Sequence, residues 1–181
     1  MQKKLRIIPW VRGLPTERLK SLYDRIVQDG THDIVFFDGS VNSVEDFLDI
    51  VSREVLFLVT STDLEDVGFV RLNRFDGRKA NAHFCVFSAL WGHPELCSIT
   101  RWVNQRILRT SGPDGYAWDM IWGLIPVTNP RAIRFTQRIG GVDMGVMPNA
   151  LLNRHGESVD GHLHCQVREE GEYESIYQMR D

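Results

Sequence analysis

Three short stretches of this sequence place chemically able side chains at telling positions. In "NAHFCV" (81–86), alternation along a strand sets His83 on one face with Asn81 and Cys85, opposite Ala82, Phe84 and Val86. An imidazole there can exchange a proton near neutral pH. In "VTNPRAIRFTQRIGG" (127–141), Asn129 is a good N-cap, Pro130 is pre-organised for the first helical turn, and Gly140 can end the helix in the left-handed conformation. The third stretch, "HLHCQV" (162–167), sets His162 and His164 on one face of a strand beside Cys165. His155 is the only further nearby candidate, and no ligand motif spacing is present, so no metal site is expected. Ser88 and Ser98 lie in no G-x-S-x-G setting, which argues against a serine hydrolase.

The elements that must position these residues are legible from periodicity. Leu5 to Trp10 reads as a first strand. Leu19, Leu22, Tyr23, Ile26 and Val27 form the apolar stripe of a helix ending before Gly30. Ser43 and Asp46 have capping-box spacing at the head of a second helix, and "DIVFFDGSVN" reads as an aromatic loop between the two. Strands follow at Val55 to Thr60, Val67 to Asn73 and Ala80 to Phe87, with the last two turning at Asp76-Gly77. Pro94 is expected to open a helix reaching about Arg109, and the aromatic run Tyr116 to Val127 reads as one buried strand. After the Asn129 helix come two more strands, Val142 to Leu151 and Gly161 to Arg168.

A chain of 181 residues, 43 % hydrophobic and 25 % charged, is an ordinary composition for one well-packed domain. We expect that domain over residues 1–169, with an acidic tail over 170–181. A formal charge of −3 gives no general attraction for nucleic acid or an anionic membrane. Cys85, Cys97 and Cys165 are widely spaced, which fits a reducing cytoplasm better than a disulfide framework. No run is long and apolar enough for a membrane span.

Over most of residues 5–169, the order of elements resembles the GCN5-related N-acetyltransferase (GNAT) superfamily, particularly its ribosomal-protein alanine acetyltransferase-like branch. The likeness is carried by Asn129, Ala132 three positions later and Gly140 eleven positions later, and by "MGVMPNALLNRHGESVDGHLHCQV", which is similar to the family's terminal hairpin. The resemblance implies an α/β fold: a mixed, mostly antiparallel sheet of about seven strands, helices on both faces, and splayed fourth and fifth strands. It further implies acetyl-CoA as co-substrate. The pantetheine arm would lie along the fourth strand at Val86 and Phe87, and the pyrophosphate would meet amides of Gly92, His93, Glu95 and Leu96. Asn129 and Ala132 would touch the cofactor, and His83 would serve as base for a primary amine carried by a small molecule or a protein.

The sequence departs from the family at three places. The phosphate loop keeps only Gly92 and contains Pro94 and Glu95; Gly141 replaces an aromatic; and Thr136 stands where many relatives have a Tyr that protonates the leaving thiolate. The alternative is a non-catalytic member of the fold serving as a binding or assembly module, a role that a phage-encoded relative could fill.

Overall fold

The computed structural model describes residues 5–9, 14–61 and 66–170. Trp10 and, apart from Glu170, the acidic tail lie outside the described residues. The described residues divide into two compact units: those up to Asn73 together with His83–Gly92, and Arg74–Ala82 together with those from His93 to Glu170.

In the first unit, strand β1 (Leu5–Pro9) pairs antiparallel with β2 (Val55–Ser61), and β2 pairs antiparallel with β3 (Asp66–Asp76), which leaves the unit after Asn73. Helices α1 (Thr16–Gln28), α2 (His32–Val35) and α3 (Val44–Arg53) complete it. The α3 start follows the sequence: Ser43 Oγ accepts from the Asp46 amide at 3.1 Å, and the Asp46 carboxylate accepts from the Ser43 amide at 3.0 Å. The short α2 replaces part of the expected aromatic loop. Phe36, just after it, is fully buried against Phe47, so apolar burial fixes a segment whose composition reads as loop.

The second unit begins with the end of β3 and the first half of β4 (Lys79–Val86). The β3–β4 turn is made by Gly77 and Arg78, one residue later than expected. Next come α4 (Leu96–Leu108), a small hairpin of β5 (Ser111–Gly112) and β6 (Gly115–Tyr116), then β7 (Met120–Pro126), α5 (Pro130–Arg138), β8 (Val142–Leu152) and β9 (Ser158–Val167). The expected strand from Tyr116 is thus interrupted. Trp118 turns inward to stack on Phe75, and Asp119 pairs with Arg78 and Arg168, so only Met120 onward joins the main sheet.

In hydrogen-bonding order the main sheet runs β1-β2-β3-β4-β7-β9-β8. Seven strands match the expectation, and β7 stands in the place of the fifth strand. The β4–β7 pair is parallel and covers only Lys79, Ala80 and Asn81 against Met120, Ile121 and Trp122. By contrast β9 pairs with β7 over its whole length, Met120↔Val167 to Pro126↔Gly161.

Buried amides tie the helices of this unit to β9. Asn104 on α4 donates to Gln166 Oε1 at 2.7 Å, and Gln166 Nε2 in turn donates to the Ile139 carbonyl at the end of α5. Each such pair is satisfied away from water, where an unmade bond costs about 1–3 kcal/mol. Among the described residues no helix is long and apolar enough to cross a membrane.

Candidate functional site

In the first unit, His83 is half-buried on the outer part of β4. Its Nε2 lies 3.3 Å from Asn73 Oδ1, while Asn73 Nδ2 donates to Glu54 Oε1 at 2.7 Å and Arg71 Nη1 donates to Glu54 Oε2 at 2.7 Å. This order favours one tautomer of the imidazole. A carboxylate accepts only, so the Asn73 NH2 faces Glu54 and its oxygen faces the imidazole. The proton of neutral His83 therefore sits on Nε2, leaving Nδ1 as the basic nitrogen. Arg71 anchors the chain: its side chain and that of Glu54 are 5 % and 10 % exposed, and its guanidinium lies 5.3 Å above the Phe36 ring. Burial pulls Arg71 below its ordinary value, against which the Glu54 charge acts.

Glu54 and Asn73 carry no motif in the sequence, but strand alternation sets Arg71 and Asn73 on one face of β3, and the Val55↔Leu72 register puts Glu54 one step beyond that pair, opposite Asn73.

Beyond His83, the expected cofactor positions fare unequally. Val86 is half-buried, and its carbonyl accepts from Trp91 Nε1 at 2.9 Å. Phe87 is fully buried against Phe69, with Arg25 above its ring. Its amide donates to Val67 and its carbonyl accepts from Leu90, so both of its backbone groups already have partners. Ser88 is held by the Asp29 carboxylate through its amide and hydroxyl. Gly92 is exposed with φ +78°.

In the second unit, α4 starts at Leu96 with Glu95 as its N-cap, two residues later than Pro94 suggests. The cause is His93. Its Nδ1 accepts from the Glu95 amide at 3.2 Å and its carbonyl accepts from the Leu96 amide at 3.0 Å. These two amides, expected to face a phosphate, thus close a turn on His93, and Pro94 has none to offer. The amides of Cys97 and Ser98 stand in the first turn of α4, ahead of the Ile99 amide that donates to the Glu95 carbonyl at 2.9 Å. Together with the helix dipole they suit an anion.

Also in this unit, Asn129 Oδ1 accepts from the Ala132 amide at 3.1 Å, so both residues are engaged in the N-cap of α5. The helix ends in a Schellman motif: Gly140 (φ +92°) donates to the Gln137 carbonyl and Gly141 to that of Thr136. A Cβ on Gly141 would lie 2.6 Å from Thr136 Cγ2, which explains why no aromatic stands there.

No protein-family model matches the sequence, and no curated protein matches it. Solved structures do. A spermidine N-acetyltransferase from Vibrio cholerae, in complex with CoA and spermine, superposes with TM-score 0.69 at 14 % identity, over 91 % of this chain and 96 % of that one. The ribosomal-protein-S5-alanine acetyltransferase from Vibrio fischeri gives 0.65 at 13 %, over 90 % and 94 %. A microcin C7 self-immunity acetyltransferase in complex with acetyl-CoA and AMP gives 0.62 at 16 %, over 84 % and 88 %. The fold is that of the GNAT acetyltransferases. Within the GNAT order, β5 and β6 are a small separate hairpin, and the brief β4–β7 pairing is the expected parting of the fourth and fifth strands.

Proposed function

We propose that this chain is an acyl-CoA-dependent N-acyltransferase that moves an acetyl group from acetyl-CoA to a primary amine. The observation that carries the reading is the three-residue β4–β7 pairing. Past Trp122, the edge of β7 turned away from β9 has no strand partner among the described residues, and an extended amide chain such as pantetheine bonds to such an edge as an added strand. The amides of His93, Cys97 and Ser98 would take the pyrophosphate, with Gly92 giving the backbone room to turn.

His83 would take the ammonium proton through Nδ1, with Asn73 holding the other nitrogen protonated. The amine nitrogen then attacks the thioester carbonyl, a C–N bond forms, the C–S bond breaks and CoA leaves as thiolate. Thr136 is far too weak an acid to protonate that thiolate, so a water relay carries to it the second proton, which the nitrogen sheds as the amide forms. Of the cofactor positions read from sequence, Gly92 and His93 keep direct roles in this proposal, and the Val86 carbonyl is taken by Trp91. Asn129 and Ala132 shape the start of α5, and Phe87, Glu95 and Leu96 hold the local backbone.

A panel of polyamines, small primary amines and peptides with free N-termini, each assayed for acetyl-CoA-dependent thiol release, tests the reading. Release that requires both substrates is expected. The rival, a non-catalytic GNAT-fold binding or assembly protein, is favoured by the closed Glu95–Leu96 turn on His93. It forecasts no release with any amine.

A further inference from the structure

The β8–β9 hairpin holds a polar cluster that the transferase reading does not use. His164 is 2 % exposed, and neither of its ring nitrogens has a hydrogen-bond partner. The His162 ring stacks on it, centroids 5.6 Å apart, and His162 Nδ1 is likewise buried without a hydrogen bond. Antiparallel register brings the third member: Asp143 on β8 lies directly opposite His164 on β9, and a bulge between Asp143 and Gly145 follows at once. Asp143 Oδ1 stands 3.4 Å from His162 Nδ1, near enough for an ion pair but not aligned as a hydrogen bond. One ligand atom from each of the three residues falls within 4.8 Å of the others.

We propose that Asp143, His162 and His164 form a binding site for a divalent first-row transition ion of the zinc type. Two imidazoles and a carboxylate suit zinc, cobalt(II) or nickel(II), and a three-ligand set leaves one position for water. A tetrahedral ion with bonds of about 2.0–2.1 Å sets its ligand atoms roughly 3.3 Å apart. The Asp143–His162 separation already fits, and small side-chain rotations bring in His164.

The surroundings prepare these ligands. Gln137 Nε2 reaches Asp143 Oδ2 at 3.3 Å, and the Gly145 amide donates to Asp143 Oδ1 at 2.8 Å, which orients the carboxylate. That amide, first among several causes, holds the Asp143 carboxyl below the usual range, and burial pushes His164 down, so the ionised carboxylate and the neutral imidazole that ligation needs are both favoured. Cys165, which the sequence sets beside the histidines, pairs with Val142 and Trp122 on the opposite face, so it is not a ligand.

The test uses the untagged full chain, freed of metal by a chelator and titrated with cobalt(II), followed by zinc competition. One equivalent of cobalt should bind with visible d–d absorption and be displaced by zinc. His162→Ala and Asp143→Ala, both at part-exposed side chains, should each weaken binding at least about 100-fold, while Cys165→Ser and His155→Ala leave it unchanged. Circular dichroism establishes that each variant is folded. The absence of saturable cobalt binding, or equal affinity in wild type and both ligand variants, overturns the proposal.

Discussion

The polar group around His83 and the one around His164 are built in opposite ways. At His83, an imidazole, an amide and a carboxylate are joined end to end by hydrogen bonds of 2.7–3.3 Å, and the chain terminates on a buried guanidinium. At His164, two stacked imidazoles lie beside a carboxylate with three buried ring nitrogens lacking any hydrogen bond. The first network links its imidazole to a partner and leaves one buried atom, Arg71 Nε, without a hydrogen bond. The second pays for burial without compensation and so points to a missing partner.

The largest effect we expect comes from removing the proposed base. His83→Ala should lower turnover by about 10²- to 10⁴-fold at saturating amine near neutral pH, with little change in acetyl-CoA affinity. Unchanged turnover would make the His83 group purely structural. Next is its anchor: Glu54→Leu leaves the Arg71 charge buried and unpaired, which should cost about 3–5 kcal/mol in urea unfolding. A loss below about 1 kcal/mol would mean that the ion pair does not organise this region.

Asn73→Ala removes the acceptor that selects the His83 tautomer, and kcat should fall roughly 10-fold with a flattened pH profile. A merely packing role for Asn73 would lower stability and leave the profile alone. The smallest effect sharpens the contrast from the other side. His164→Leu replaces unsatisfied buried nitrogens with an apolar group of similar size, and should raise the stability of the metal-free protein by about 1 kcal/mol. A loss of similar size would show that His164 has a partner in solution.

What the sequence discloses follows the range of the interactions. The capping box at Ser43, the Asn129 cap and the Gly140 stop are local, and each sits where its spacing says. The α4 start departs from the sequence expectation because Pro94 satisfies the rule for a first helical position, yet the His93 side chain caps the backbone one residue before the helix begins. That competition between a side chain and a backbone cannot be read from residue types alone. The two polar groups depend on strand register. Glu54 meets Asn73, and Asp143 meets His164, only once β2–β3 and β8–β9 are paired, so the sequence shows the histidines without their partners.

The central claim is that this GNAT fold still takes acetyl-CoA despite the altered loop before α4. Calorimetric titration of the purified chain with acetyl-CoA tests it most directly. Our account predicts saturable binding at one site with a Kd below the millimolar range, weakened by added salt as the pyrophosphate contact is screened. No binding heat and no thermal shift at millimolar acetyl-CoA would contradict it, and would assign the chain to the non-catalytic reading.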